Sequence, residues 1–204
     1  VIRELRRRGI VASAAHTNAS YQEMLVAIEA GLSHVTHVFN AMRGFHCREI
    51  GAVGAALLHE ELTTELIADG VHVHPSAIKI LVKMKGYDKV VLISDAISAT
   101  GLQDVEYELG GLEIFVKDGV STLRSGVLAG STLTLDRAVK NMVELANVPV
   151  SEAIKMATLN PARVLGLKTK GEIKAGADAD ITILDRNIKV QSVMIRGELL
   201  SVPP

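Results

Sequence analysis

Aromatic residues make up only 3% of this 204-residue sequence, and tryptophan is absent. Proteins that bind single-stranded nucleic acid commonly stack bases on aromatic side chains, so the composition disfavours that class. The formal net charge is -1, which gives no electrostatic reason to expect nucleic acid or an anionic membrane as a partner. We therefore expect neither nucleic acid nor a membrane among the partners of this chain.

Cysteine and long apolar runs are also scarce. Cys47 is the single cysteine, so an internal disulfide is impossible and a reducing, cytoplasmic compartment is expected. No apolar run approaches the ~20 residues that span a bilayer. The sequence shows no signal-peptide pattern and opens without methionine inside a helix-like stretch. We therefore expect a chain that has been truncated or processed.

Short apolar segments alternate with helical segments in the first half of the sequence. Four of these segments predict β-strands: residues 10–15, 34–39, 63–68 and 89–94. Helices are predicted over residues 21–30, opened by a Ser20–Glu23 capping box, and over residues 75–85. Such alternation predicts an α/β fold with a parallel sheet, although periodicity alone leaves open half a (β/α)8 barrel or a small open sheet.

A polar residue that could belong to a site lies at or near the end of each predicted strand: His16, His37, Asp95 and, after a short extension, His72. The carboxyl ends of parallel strands meet at one edge of the sheet, where active sites form. Neutral imidazoles suit Zn²⁺ or Fe²⁺, so His16 and His37 can supply two of the three protein ligands that catalytic sites commonly use. His34 is an odd number of residues from His37 and is expected to be a packing residue.

Asp95 follows a strongly apolar strand, where a carboxylate needs a partner. One interpretation is a helix cap for the segment that follows. The two histidines on neighbouring strands favour another, a general base beside a metal-bound water.

Two further segments have the composition of ligand-binding loops: Asn40-Ala41-Met42 with Arg48, and Leu128-Ala129-Gly130. Backbone N–H groups and an arginine can hold a phosphate, with an ordinary surface loop as the alternative. The second segment precedes a predicted helix over residues 131–146, for which Ser131 is the expected N-cap. Before it, residues 112–123 predict a β-hairpin that turns at Asp118-Gly119.

Six motifs occur in order along the chain: His16-Thr17-Asn18-Ala19, His37-Val38-Phe39-Asn40-Ala41-Met42, Arg48-Glu49-Ile50-Gly51, Ala68-Asp69-Gly70-Val71-His72, Ser94-Asp95-Ala96 and Leu128-Ala129-Gly130-Ser131. They resemble the successive motifs of the N-acetylglucosamine-6-phosphate deacetylases of the amidohydrolase superfamily. Asn160-Pro161-Ala162-Arg163 resembles the superfamily's C-terminal signature.

The resemblance implies the second half, with four strands, of a (β/α)8 TIM-type barrel, together with part of a small β-sandwich. The barrel half would cover residues 1–168, with an inserted hairpin at residues 106–126, and the sandwich segment would cover residues 169–204. The implied reaction is hydrolysis of N-acetylglucosamine 6-phosphate to glucosamine 6-phosphate and acetate. The implied cofactor is a divalent metal, Zn or Fe, with Mn or Co as alternatives.

Roles for individual residues also follow from the resemblance. His16 and His37 are implied as metal ligands, and Asp95 as the residue that transfers protons. The implied substrate-binding residues are Asn40, Ala41, Arg48, His72, Leu128, Ala129 and Gly130. The arginine matching Arg48 reaches the ligand of a neighbouring subunit in this family, so a homodimer is implied.

The sequence departs from the family pattern in two ways. Ala15 stands where glycine is usual, and its methyl group is expected to crowd the backbone near the metal. The family's metal-binding glutamate and substrate-polarising histidine belong to earlier strands, so we expect this chain alone to have little or no activity. A non-catalytic half-barrel that binds phosphosugars or self-associates is one alternative, and a cyclic-amidase relative, disfavoured by the phosphate loop, is another.

Overall fold

The alternating segments form a four-stranded parallel sheet with the order β1-β2-β3-β4. The computed structural model describes residues 1–103, 106–109 and 111–200. Its first elements are α1 (Ile2–Arg7), β1 (Ser13–Ala14), α2 (Tyr21–Ala30), β2 (His34–Val35), α3 (Gly51–Leu58), β3 (Thr63–Ile67), α4 (Pro75–Lys85) and β4 (Val90–Ile93). The predicted α/β fold with a parallel sheet is confirmed. Its description as half of an eight-stranded barrel stays a prediction.

The two faces of this parallel sheet differ in character. Val35, Leu66 and Leu92 lie on one face and are buried in the main hydrophobic core with the helices. The other face carries hydroxyl groups, and Ser13 Oγ and Thr36 Oγ1 lie 2.6 Å apart there. Burial alternates along residues 63–66 of β3, as expected when one side of a sheet packs on helices, whereas β2 and residues 90–92 of β4 are buried throughout.

β1 and β2 are only two residues long, shorter than predicted. His16 and His37 have positive φ angles of 43° and 31°. A left-handed residue turns the chain away from the extended ladder, so the strands end before these histidines. The predicted strand over residues 34–39 is therefore wrong beyond Val35.

Helix α3 lies in a segment that the periodicity does not identify as helical. Its sequence is GAVGAALL, and Gly51 to Leu57 are all buried, so no polar face exists. A Cβ at Gly54 would lie 2.4 Å from Ile50 Cβ, which shows how closely this segment packs. Recognition of a helix from sequence depends on an alternation of apolar and polar faces, and α3 has none.

A small antiparallel sheet follows, formed by β5 (Glu106–Leu109), β6 (Leu112–Lys117) and β7 (Val120–Leu123). The predicted hairpin and its turn are confirmed, since Asp118 and Gly119 have the positive φ angles, 51° and 72°, that a tight hairpin turn requires. Buried Ala99, Ile114 and Val116 form a separate small core beneath this sheet. Residue 110 of the predicted insertion lies outside the described residues.

The remaining described elements are α5 (Leu135–Ala146), α6 (Val150–Ala157), α7 (Leu159–Val164), β8 (Ile181–Leu184), β9 (Val190–Ile195) and β10 (Glu198–Leu200). Helix α5 begins after Thr134, so the expected N-cap at Ser131 is wrong, and Ser131 instead forms a β-bridge with Ala96. The last three strands form an antiparallel sheet. Assigning that sheet to a β-sandwich stays a prediction, and residues 201–204 of the predicted segment lie outside the described residues.

None of the helices in the described part of the chain has the length and apolar character that crossing a membrane requires.

Candidate functional site

Three of the residues predicted at strand ends share an unusual backbone conformation. His16, His37 and Asp95 have φ angles of 43°, 31° and 50°. Left-handed conformations are rare outside glycine and cost roughly 1–3 kcal/mol each, so they persist where the surrounding structure enforces them. Strain of this kind concentrates at functional sites.

The two predicted metal ligands lie side by side. The ring centroids of His16 and His37 are 4.8 Å apart, with the rings tilted by 48°. His37 is only 6% exposed, and its Nδ1 is buried without a hydrogen-bond partner. An unsatisfied buried ring nitrogen is unfavourable by about 1–3 kcal/mol, and a metal ion would satisfy it.

A complete metal site is not formed within the part of the chain that is described. No group of three or more His, Cys, Asp or Glu side chains with ligand geometry occurs there. Nor does the imidazole pair make a side-chain hydrogen bond or ion pair with Arg48, His72 or Asp95 in those ranges. Of the predicted site residues, the structure therefore brings His16 and His37 into direct contact.

His34 has the packing role expected of it. Its ring nitrogens lie 2.6 Å from Thr63 Oγ1 and 2.9 Å from Glu65 Oε1. Both nitrogens therefore have protein partners, and neither is free for a metal.

Asp95 is exposed at the end of β4, and its backbone is held from a distant segment. Its carbonyl oxygen accepts a hydrogen bond from the N–H of Ser131 at 2.8 Å, and the Ser131 hydroxyl donates to the preceding carbonyl of Ser94. The residues after Asp95 form turns, so the helix-cap interpretation is wrong. The sequence did not indicate Ser131 for this role.

His72 is oriented by a carboxylate that the sequence motif contains but whose role was not predicted. Asp69 Oδ2 lies 2.6 Å from His72 Nδ1, and Asp69 Oδ1 accepts from the N–H groups of Val71 and His72. Burial alone would raise the pKa of Asp69, but these hydrogen bonds outweigh it and lower the pKa below its ordinary value. Asp69 therefore stays ionised and leaves Nε2 of His72 free to contact a ligand.

The predicted phosphate-binding loop has exposed residues, and the side chain of Glu49 fixes one end of it. Ala41 has a φ of 51°, and Arg48 is exposed. Glu49 Oε1 accepts hydrogen bonds from the N–H groups of Tyr21 and Gly51, each at 2.9 Å. These are the first residues of α2 and α3, and their N–H groups lower the pKa of Glu49. One carboxylate thus ties the loop to two helix N-termini.

The segment Leu128-Ala129-Gly130 lies between the hairpin and Asp95. Ala129 exchanges hydrogen bonds with Ser121, through its N–H at 3.1 Å and its carbonyl at 2.9 Å. Gly130 has a φ of 59°, and a Cβ there would lie 2.3 Å from Ile97 Cγ2 and 3.2 Å from the Asp95 carbonyl. Only glycine can pass so close to the loop that carries Asp95.

Ala15 lies in a backbone conformation that alanine adopts without strain, and the crowding expected near a bound metal stays a prediction. It is exposed, and its φ is not positive.

Residues 2–200 match the family described as the Amidohydrolase family. The chain is 40% identical over 200 residues to N-acetylglucosamine-6-phosphate deacetylase of Bacillus subtilis (strain 168), which covers 98% of this chain and 50% of that protein. It is 43% identical over 201 residues to N-acetylgalactosamine-6-phosphate deacetylase of Escherichia coli O157:H7, covering 98% of this chain and 53% of that protein. The chain thus spans about half the length of these curated relatives.

A similar solved structure is that of a mutant N-acetyl-D-glucosamine-6-phosphate deacetylase from Mycobacterium smegmatis in complex with N-acetyl-D-glucosamine-6-phosphate. The TM-score is 0.94 at 38% sequence identity, over 98% of this chain and 54% of that chain. The likeness therefore covers almost every described element of this chain and about half of the other protein.

Proposed function

Because the chain belongs to the amidohydrolase family, we propose that it forms the C-terminal half of a metal-dependent deacetylase. The proposed reaction is hydrolysis of N-acetylglucosamine 6-phosphate to glucosamine 6-phosphate and acetate. The observation that carries the proposal is the adjacent pair of His16 and His37, with the buried, unpartnered Nδ1 of His37. Relatives named for this reaction over nearly the whole chain support it.

The donor set fits a divalent cation. His16 and His37 would hold it, and a third ligand would come from outside the described residues. Two imidazoles and a carboxylate suit Zn²⁺ or Fe²⁺, with Mn²⁺ and Co²⁺ as alternatives. A bound cation supplies Lewis-acid chemistry at the acetamide carbonyl and its attacking water.

Asp95 is the proposed proton-transferring residue. Its carboxylate takes a proton from the attacking water and returns it to the departing amine of the sugar. Arg48 and His72 bind the phosphosugar through charge-assisted and imidazole hydrogen bonds. The other proposed substrate contacts come from Asn40, Ala41, Leu128, Ala129 and Gly130.

The proposal includes the larger architecture. The four parallel strands would be half of an eight-stranded barrel, and the last sheet part of a β-sandwich. We propose a homodimer on the family resemblance, in which the arginine matching Arg48 reaches a neighbouring subunit's ligand. The exposed side chain of Arg48 is consistent with that role. The reducing cytoplasm is the proposed compartment, consistent with the free thiol of Cys47.

N-acetylgalactosamine 6-phosphate is a second candidate substrate. The two sugars differ only in configuration at C4, and one relative at 43% identity is named for the galactosamine epimer. A non-catalytic half-barrel that binds phosphosugars is the remaining alternative. Offering both epimers in the same assay distinguishes these substrates.

The proposal is tested by acetate release in the protein expressed from its complete native reading frame and loaded with Zn²⁺ or Fe²⁺. We expect turnover of N-acetylglucosamine 6-phosphate, loss of turnover on chelation, and a turnover lower by about 10²–10⁴-fold in Asp95→Asn with the metal retained. Phosphosugar binding without acetate release would favour the non-catalytic alternative. The 204-residue chain alone should release little acetate, because its described residues supply only the two proposed metal ligands, His16 and His37.

A further inference from the structure

Ser131 is buried between the Asp95 loop and the segment from the hairpin, at only 3% exposure. Its N–H donates to the carbonyl of Asp95 at 2.8 Å, and its hydroxyl donates to the carbonyl of Ser94 at 2.5 Å. Its own carbonyl accepts from the N–H of Ile97 at 3.0 Å and from the hydroxyl of Thr100 at 3.2 Å. One serine thus binds the chain on both sides of Asp95.

We propose that Ser131 is a positioning residue that fixes the direction of the Asp95 side chain for proton transfer. This inference rests on the proposed function, in which Asp95 is the proton-transferring group. The argument depends on the two carbonyls that Ser131 holds. They belong to the peptide units before and after the Asp95 Cα, so fixing both of them fixes the direction in which its side chain leaves the backbone.

The backbone conformation of Asp95 needs the constraint that these hydrogen bonds of Ser131 supply. Its φ of 50° lies in a region that is unfavourable for aspartate and persists only when neighbouring contacts impose it. Side-chain hydrogen bonds to Asp95 do not supply this constraint, because its carboxylate makes none to the other described residues. The constraint therefore comes through the peptide units, and Ser131 contributes both of the distant hydrogen bonds described above.

Ser131 is itself held in place on its other side. Ala129 is bound to buried Ser121, and Gly130 packs against Ile97 more closely than any other residue would allow. The hydroxyl of Ser131 also accepts the N–H of Leu133 at 2.9 Å. The small antiparallel sheet of the hairpin thus helps to hold Ser131 in place. This gives the hairpin segment a role in the geometry of the site.

The first experiment compares Ser131→Ala with Thr132→Ala in the metal-loaded protein from the complete reading frame. Thr132 is the matched control because its hydroxyl donates to the Gly119 carbonyl in the hairpin and not to the Asp95 loop. We expect kcat to fall by about 10–100-fold in Ser131→Ala, since a displacement near 1 Å has that effect, with KM and metal content changed by less than about twofold. Thr132→Ala should keep the wild-type kcat.

Two further variants separate positioning from folding. Ser131→Thr keeps a hydroxyl donor and should retain more activity than Ser131→Ala. Ser131→Cys keeps the size but has a weak donor, so its kcat should fall even if Ser131→Ala does not fold. In both impaired variants kcat should fall while KM and metal content stay within about twofold of wild type, whereas a merely structural defect would also lower metal content and raise KM.

The outcomes distinguish this inference from the proposed function. Wild-type kcat in Ser131→Ala or Ser131→Cys, with Asp95→Asn inactive, overturns the role of Ser131 and leaves the function standing. Equal losses in Ser131→Ala and Thr132→Ala, or a loss of metal content in Ser131→Cys that matches its loss of kcat, also overturn it. Full turnover in Asp95→Asn overturns the proposed role of Asp95 and the inference with it.

Discussion

The strand-end residues and the loop from Asn40 to Glu49 are held in place in different ways. His16, His37 and Asp95 take strained backbone conformations at the ends of short parallel strands. Arg48 lies on an exposed loop that Glu49 ties to two helix N-termini. The first region suits chemistry that needs fixed geometry, and the second suits recognition of a charged, movable ligand. The comparison predicts that damage to the first lowers kcat and that damage to the second raises KM.

The largest effect is expected at His37, the buried member of the imidazole pair. His37→Ala should remove the bound metal and lower turnover by more than about 10³-fold, because the cation activates the water. Metal content by elemental analysis and acetate release check this. Glu65→Gln is the control: it alters the side-chain contact with His34 and should keep its metal. Full metal content in His37→Ala would exclude His37 as a ligand.

A smaller effect is expected at Asp69, which orients His72, a proposed phosphosugar-binding residue. Asp69→Asn weakens the hydrogen bond that orients His72, so KM for the phosphosugar should rise by roughly 10-fold with kcat little changed. Steady-state kinetics checks this, with the exposed Asp88→Asn as control. A fall in kcat at constant KM would instead assign His72 to the chemical step.

A substitution of Glu49 tests whether the shape of the phosphate-binding loop depends on the hydrogen bonds that Glu49 accepts. Glu49→Ala removes both amide contacts, so KM should rise by about 5-fold, consistent with one or two weak hydrogen bonds at an exposed site. Glu23→Ala is the matched control, since Glu23 caps α2 through Ser20 and makes no hydrogen bond to the loop among the described residues. Equal KM values in the two variants would show that the loop keeps its shape without Glu49.

The smallest effect on activity lies away from both regions, at Lys85. Its Nζ donates to the His59 carbonyl in the segment entering β3, and burial, followed by the charge of Lys89, lowers its pKa to about 8 from 10.5. Between these two pH values the unfolded chain binds more protons than the folded one, so stability should rise with pH in this window.

Urea unfolding at pH 8 and pH 10.5 measures this rise, expected at about 1–2 kcal/mol after allowance for solvent screening. Lys85→Met should abolish the rise, and the exposed Lys83→Met should keep it. An unchanged rise in Lys85→Met would attribute it to another group.

The sequence predicted one region better than the other. His16, His37 and Asp95 lie two residues beyond the ends of β1, β2 and β4, so the predicted apolar strands were enough to place them near strand ends. Ser131 bonds to the Ser94 carbonyl, 37 residues away along the chain, and no local pattern could reveal that pairing. Helix α3 was not predicted because Gly51 to Leu57 are all buried and the helix has no polar face. The strand around His37 was predicted too long, since no sequence pattern indicates that a histidine adopts a left-handed backbone conformation.

The most direct test compares kcat/KM for acetate release from two substrates, N-acetylglucosamine 6-phosphate and N-acetylglucosamine. Both are offered to the metal-loaded protein from the complete reading frame and to its Arg48→Ala variant. Wild type should prefer the phosphorylated sugar by at least about 100-fold, since charge-assisted contacts contribute roughly 1.5–3 kcal/mol each. Arg48→Ala should reduce that preference about 10-fold with kcat nearly unchanged. Equal kcat/KM for both sugars in the wild type would contradict the division into a chemical region and a phosphate-binding region.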